Sequence, residues 1–289
     1  MAVPAAAPGD FACIKCGSSV PPSKRDCVVC GADNGCPNVR QAESASERGA
    51  LAARLADAEV SARARASIDI LNTFGMAVLN SSAVVARPLS LLDSMVKSEK
   101  SLYIPYHRQV ASGARLPENN EWDPGRVAAE STIMPHYFDQ ITFAALSLNG
   151  IGPTSFGAYS IILKDNAIAL RASVFEENPF LFTVRHRILA GQPCPPGYRA
   201  SWQHRDILAK AKLHALINSG TIPSQFAGIL IANKTAGDSD YVEVHIFGNI
   251  HRLAIERVIG PKPKARPDRI IMKSIEKSLI EVGASLELR

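Results

Sequence analysis

The 289-residue chain lacks any run of about 18 apolar residues, the length a helix needs to cross a bilayer, so no transmembrane helix is expected. It also lacks the marks of a secretory leader. Met1–Asp10 is apolar but short, has no basic start, and runs straight into a cysteine pair instead of a cleavage site. A reducing compartment, the cytoplasm, is therefore expected, where cysteines more often bind metal than form disulfides. There is no P-loop, no G-x-G-x-x-G, no H-E-x-x-H and no G-x-S-x-G. A nucleotide hydrolase thus has neither a metal motif nor a nucleophile motif to rest on. Internal repeats are absent. A dominant charge is missing too: 32 Lys and Arg against 27 Asp and Glu leave +5. That is only a weak pointer to a polyanionic partner, because nucleic-acid binders concentrate such charge in a stripe. With 46% hydrophobic and 20% charged residues the composition is that of a globular chain, long enough for one large domain or two ordinary ones.

Against these absences stands one strong pattern. Cys13, Cys16, Cys27 and Cys30 read C-x2-C-x10-C-x2-C. A two-residue gap lets both thiolates of a pair reach one ion from a tight turn, and two such turns complete a tetrahedral four-sulfur site. Gly17 and Gly31 follow the two pairs and relieve the backbone there, while Pro21 and Pro22 lie in the loop between. A zinc ribbon is expected, with iron an alternative for the same four sulfurs. Two disulfides or two redox pairs are the competing readings. Cys36 is spare, and Cys194, between Pro193 and Pro195, reads as a loop or buried thiol. The ion would be structural, supplying the folding energy of its own segment.

From Gln41 to about Asn72 the chain is rich in Ala, Arg and Glu and free of proline. Leu51, Leu55, Ala58, Ala62, Ala66 and Ile70 recur at helical spacing, with Gly49 marking a weak start. The small residues on this stripe suit either packing within the chain or self-association through the helix. A second apolar stretch, Phe74–Leu92, breaks at Pro88, and 111–126 reads as a loop. Beyond 127 strands are expected at Tyr159–Lys164, Ile168–Val174, Phe180–Val184, Phe226–Ile231 and Tyr241–Phe247. Helices are expected at Arg205–Ile217 and Lys273–Val282. The predicted organisation is a zinc ribbon (1–38), a helical connector (39–110) and an α+β domain (127–289) with a mixed sheet and flanking helices. The basic loop of Lys262, Lys264 and Arg266 is a candidate phosphate contact or a solvated connector. Tyr198 and Trp202, near Arg199 and Arg205, read as a hydrophobic anchor before a base-stacking platform.

In Tyr241–Phe247, alternation puts Tyr241, Glu243, His245 and Phe247 on one face and Val242, Val244 and Ile246 on the other, the natural core face. The polar face is either the wall of a cleft or the solvent side of an edge strand. Together with Phe156–Asn178, the segment Tyr241–Val258 resembles the ADP-ribosyltransferase-like domains of phage head proteins and bacterial toxins. Those have an aromatic-glycine strand, a strand with an arginine-alanine pair (here Arg171-Ala172), and a late strand matched by Tyr241-Val-Glu243-Val-His245-Ile-Phe-Gly248. Arg252–Val258 fits the short helix that follows in the family. The resemblance covers roughly residues 130–260.

The resemblance implies NAD as substrate and Glu243 as the catalytic carboxylate, stabilising an oxocarbenium-like centre as nicotinamide leaves. It implies cofactor contacts at His136, with Arg108 a rival, at Ser155 or Tyr159, and at Arg171 and His245. The family's acidic or amide residue two positions before the glutamate is replaced by Tyr241, which puts protein acceptors such as arginine in doubt. The expectation is an NAD-consuming toxin or defence effector whose ribbon recruits a macromolecular acceptor, protein or nucleic acid. The alternative is a non-catalytic protein that binds a partner through ribbon and basic loop.

Overall fold

The computed structural model describes residues 11–113, 122–232 and 240–289. Its frame is a mixed sheet of β1 (Ser82–Arg87), β2 (Ile141–Ser147), β3 (Tyr159–Leu163), β4 (Ala172–Phe175), β5 (Arg199–Ser201), β6 (Glu243–Phe247), β7 (Ile255–Gly260) and β8 (Ser285–Leu288). Across the sheet the order is β8-β7-β3-β1-β2-β6-β4-β5. Neighbours are antiparallel except β7 and β8, which run parallel. A four-cysteine hairpin precedes it, followed by helices, so the α+β class read from the sequence is the class observed.

The longer helices are α1 (Pro37–Ala42), α2 (Ala45–Ala64), α3 (Ile68–Leu79), α4 (Leu89–Val96), α5 (Tyr106–Ala111), α6 (Trp122–Ile133), α7 (Pro179–Arg185), α8 (Arg205–Leu213) and α9 (Arg266–Glu281). None among the described residues is long and apolar enough to cross a membrane. Strand alternation divides them between two faces. Val242, Val244 and Ile246 join the main core with Val174, Leu146, Val85 and Ile161, under side chains of α2, α3, α4, α8 and α9. The opposite face carries Phe143, Phe175 and Phe247, closed over by Ile133, Met134 and Phe182. Each such side chain withdrawn from water contributes about 1.5–3 kcal/mol, so both layers are driven by burial.

Several expectations change. The supposed helical connector supplies β1, a central strand. Ala83–Ala86 are all buried because both faces of this strand are covered, so the alternation that betrays a half-buried strand is missing. The run Phe180–Val184 is helical: Asn178 accepts from the Phe180 amide at 2.9 Å and Pro179 opens the helix, a start signal that outweighs the apolar run. Phe226–Leu230 is likewise a short helix, with only Ile231–Ala232 extended. The long helix of 41–72 is broken, since α2 ends at Ala64 and Ala66 takes φ +51° before α3 begins. It starts at Ala45, where Ser44 accepts from the Glu47 amide. Of its stripe of small residues, Ala58 and Ala62 are fully buried inside the chain, while Ala66 is exposed. After β6, the expected helix over Arg252–Val258 is one tight turn, Arg252–Ala254, leading into β7. Part of the expected loop 111–126 lies outside the described residues, and α6 already begins at Trp122.

Candidate functional site

The first site is the knuckle. A hairpin of Phe11–Ala12 and Ser19–Val20 carries the first cysteine pair, and a bridge between Asp26 and Asp33 frames the second. The two turns close alike: Gly17 donates to the Cys13 carbonyl at 3.0 Å and Gly31 to that of Cys27 at 2.9 Å. Both glycines hold φ near +70°, which an L side chain resists. The four sulfurs lie within 4.8 Å of one another, with Cys13–Cys30 and Cys16–Cys27 at 3.7 Å. Zinc–sulfur bonds of about 2.3 Å define a tetrahedron with edges of about 3.75 Å, so the cluster could hold a metal ion such as zinc. Backbone amides of Cys16 and Lys15 pull the Cys13 thiol down to about 6, toward the thiolate a metal requires. Cys36 is buried outside the four and Cys194 stands alone, both raised by burial.

The knuckle is fastened to the sheet by α1. Arg40 donates to the carbonyls of Pro22 and Lys24, both at 2.9 Å, and its guanidinium stacks 4.1 Å from the Phe11 ring. Asn38, almost fully buried, donates to the carbonyls of His245 (2.8 Å) and Arg171 (3.1 Å) and to the Ser173 hydroxyl (3.1 Å).

The second site surrounds Glu243. β6 is an interior strand between β2 and β4, and its polar face is covered, so Glu243 and His245 form neither a cleft wall nor an exposed edge: each is 3% exposed. Glu243 sits across from small Ala145 on one side and Phe175 on the other, and His245 from Phe143 and Ser173. The His245 ring stacks on Phe175 at 5.5 Å and meets the edge of Phe143 at 5.3 Å. Glu243 Oε1 lies 3.1 Å from His245 Nε2, and the Tyr241 hydroxyl donates to Oε2 at 3.4 Å. Burial, then the nearby Glu130 charge, push Glu243 well above the usual carboxylate range. Burial, then Arg199, drive His245 down to about 3. A neutral carboxyl facing a neutral imidazole is the state this environment favours.

Glu243 and His245 touch; the other residues implied by the resemblance do not join them. Tyr159 is on the main-core face of β3, across the sheet from Glu243, and its hydroxyl donates to the Pro261 carbonyl at 3.2 Å. Arg171 braces the far end of β6, donating to the carbonyls of Phe247 (2.9 Å) and Asn249 (2.8 Å). His136 is exposed in the turn after α6, and Arg108 is exposed beside Asp139. Ser155 is exposed in the turn Thr154–Phe156, whose Phe156 ring lies 6.3 Å from that of Tyr241. Gly157 closes this turn so tightly that a Cβ would come within 2.1 Å of the Arg87 carbonyl carbon. Trp202 is the anchor expected of it, 2% exposed, with its indole N–H on Asp165 at 2.6 Å.

Sequence reasoning missed the cluster against this face. Glu130 of α6 is buried, one oxygen 2.5 Å from Arg126 Nε and the other 2.5 Å from His107 Nε2. The Arg126 guanidinium lies over Tyr106 at 4.4 Å and Phe143 at 5.5 Å. Glu47, off the apolar stripe of the helix read from the sequence, is buried and paired with Arg199 at 2.8 Å. The i, i+4 spacing of Arg126 and Glu130 was the one local signal available. No protein-family model matches the chain, and comparison with curated proteins finds none that matches it.

Proposed function

We propose that the chain is an NAD-consuming ADP-ribosyltransferase, with Glu243 at the reacting centre and the cysteine knuckle as its targeting module. One observation carries this reading. The strand that follows Arg171 (β4) and the Glu243 strand (β6), from the two segments that bear the resemblance, are antiparallel neighbours, with the Phe156 ring 6.3 Å from that of Tyr241 at the Glu243 end of β6, opposite Arg171. In such a reaction the bond from ribose C1′ to the nicotinamide nitrogen breaks, and neutral nicotinamide leaves with its electron pair. An acceptor oxygen or nitrogen then attacks C1′ and gives up its proton to water. Glu243, buried and held by His245 and Tyr241, is suited to accept or relay hydrogen bonds at the ribose once the overlying layer parts.

The test is incubation with labelled NAD and cell extract, comparing wild type with Glu243→Gln. Nicotinamide release and label transfer by wild type, lost in the variant, are expected. Neither event in wild type, with extract as acceptor, sinks the reading.

A specific observation favours a second reading, a non-catalytic binding protein. Ile14, Val28 and Val29, inside the two cysteine turns, are 80%, 71% and 69% exposed. Aliphatic tips on a rigid knuckle are suited to contact another macromolecule. Salt-dependent binding of DNA or RNA, lost on Lys262/Lys264/Arg266→Ala, would support its nucleic-acid form. Absence of binding at low salt would end that form.

A further inference from the structure

The charge of the chain is nearly balanced overall yet uneven along its length. Residues 262–277 hold six Lys and Arg against two Asp and Glu, which is +4 out of a total of +5. The six are Lys262 and Lys264 of the loop after β7 and Arg266, Arg269, Lys273 and Lys277 of α9, and all are exposed. None of them forms an ion pair among the described residues, whereas nearby Arg252, Arg257 and Arg289 are held by Glu281 or Glu287 at 2.7–3.7 Å. α9 buries Met272, Ile275 and Leu279 in the main core. With about 3.6 residues per turn, the opposite side carries Arg266, Ile270, Lys273 and Lys277, with Arg269 on its shoulder. Of the two acids, Asp268 is half-buried toward the inner side and Glu276 lies on one flank, off this ridge. From Arg266 to Lys277 the ridge is about 16 Å long. The loop extends it in a fixed position: the Lys264 carbonyl accepts from Arg269 Nη1 at 2.8 Å, and the Lys262 amide donates to the Arg289 carbonyl at 3.2 Å.

We infer that this ridge and loop are a docking surface for the phosphate backbone of duplex nucleic acid. The inference deepens the binding-protein reading and rests on it, adding which surface binds and which form of nucleic acid. Exposed cations left without carboxylates attract a polyanion, and a duplex carries one negative charge per about 1.7 Å of its axis. Cations held in place along such a charge release its counterions, a gain that needs no contact with the bases. Two other polyanions suit the surface less. Single strands are held by stacking on aromatic rings, and no Phe, Tyr or Trp occurs after Phe247. An anionic membrane takes up a helix by its apolar face, and that face of α9 is already buried in the core. What remains for a membrane is Ile270 and Ile280, 63% and 68% exposed and about 15 Å apart along the axis.

The experiment measures fluorescence anisotropy of a labelled duplex of about 30 base pairs and arbitrary sequence, titrated with the full chain at several NaCl concentrations. Wild type should bind, with affinity falling steeply as salt rises. Arg269→Gln/Lys273→Gln/Lys277→Gln should bind about 100-fold or more weakly near 0.1 M salt, with a log–log salt slope shallower by about 0.9 for each cation removed. The three side chains are exposed and unpaired, so this variant should keep the wild-type melting temperature and circular dichroism. A charge-matched control, Lys15→Gln/Lys24→Gln/Arg187→Gln, removes three exposed cations elsewhere and should bind nearly as wild type. If the α9 variant binds as wild type while the control or Lys262/Lys264/Arg266→Ala loses binding, the inference falls and the nucleic-acid reading stands. No duplex binding by wild type at low salt sinks both. Tighter binding to a single strand of the same length, or to phosphatidylserine vesicles, overturns the duplex as the occupant.

Discussion

Asn38 and Arg40, two positions apart on α1, hold different parts of the molecule: Asn38 the backbone of β6 and β4's leading edge, Arg40 the loop between the cysteine pairs. The knuckle is thereby fixed to the strand that carries Glu243, with the His245 carbonyl as the point of attachment.

Asn38→Ala should destabilise the whole fold by about 2–4 kcal/mol, because it strands buried acceptors on Arg171, Ser173 and His245. Arg40→Ala should act locally, speeding amide exchange in 11–36 while leaving the sheet strands protected. Urea denaturation and hydrogen exchange on the two variants separate these outcomes. Equal loss of protection in both regions for Arg40→Ala would contradict the division.

Purified protein should carry a single tightly bound metal ion, released by a strong chelator with loss of protection in the knuckle. Cys27→Ser should abolish binding, while Cys36→Ser and Cys194→Ser should leave the metal content unchanged. Elemental analysis of the four proteins is the check.

The Glu243–His245 pair should leave a distinct mark on stability against pH. Between about 4.5 and 6.5, the ordinary values of the two groups, the native pair holds one proton on Glu243. The unfolded chain also holds one there, but on the histidine, so this pair contributes no slope. As pH falls from about 4.5 to about 3 the unfolded chain takes up a second proton that buried His245 refuses, and stability drops at up to about 1.4 kcal/mol per pH unit. Above 6.5 the native pair keeps a proton the unfolded chain has lost, so stability falls again as pH rises toward the elevated value of Glu243. His245→Gln should remove the acid fall and Glu243→Gln the alkaline one, read from denaturation midpoints across the range.

Glu47 and Arg199 form a buried ion pair, and Glu47 also accepts from the Gly197 amide at 2.6 Å. Glu47→Gln or Arg199→Met alone should cost about 3–5 kcal/mol, since each leaves a buried charge without its partner. The double variant should cost less than the sum of the two singles. Additive losses in a double-mutant cycle would show that the pair does not couple.

Local chemistry was legible in the sequence and long-range burial was not. The cysteine spacing identified the four sulfurs that converge, and alternation in 241–247 correctly sent Val242, Val244 and Ile246 to the core. The same alternation could not say what lay over Glu243, because α6 and α7 are brought there by tertiary packing from distant parts of the sequence. Glu130, His107 and Glu47 drew no reading from the sequence for that reason: their partners His107, Glu130 and Arg199 are remote in sequence. Strand β1 escaped notice through the uniform burial of Ala83–Ala86, and α7 through a cap, Asn178, whose effect outweighed its apolar run.

The place of β1 has a consequence for how the chain can be divided. It is the only strand of the eight-stranded sheet that comes from before residue 127, yet it lies between β3 and β2. A fragment starting at 127 would leave those two strands with bare facing edges, an invitation to aggregate. The knuckle, joined through α1 to β6, cannot be exchanged like a bead on a string either. For recombination, as for the protein engineer, the smallest portable piece runs from the first cysteine to the last strand.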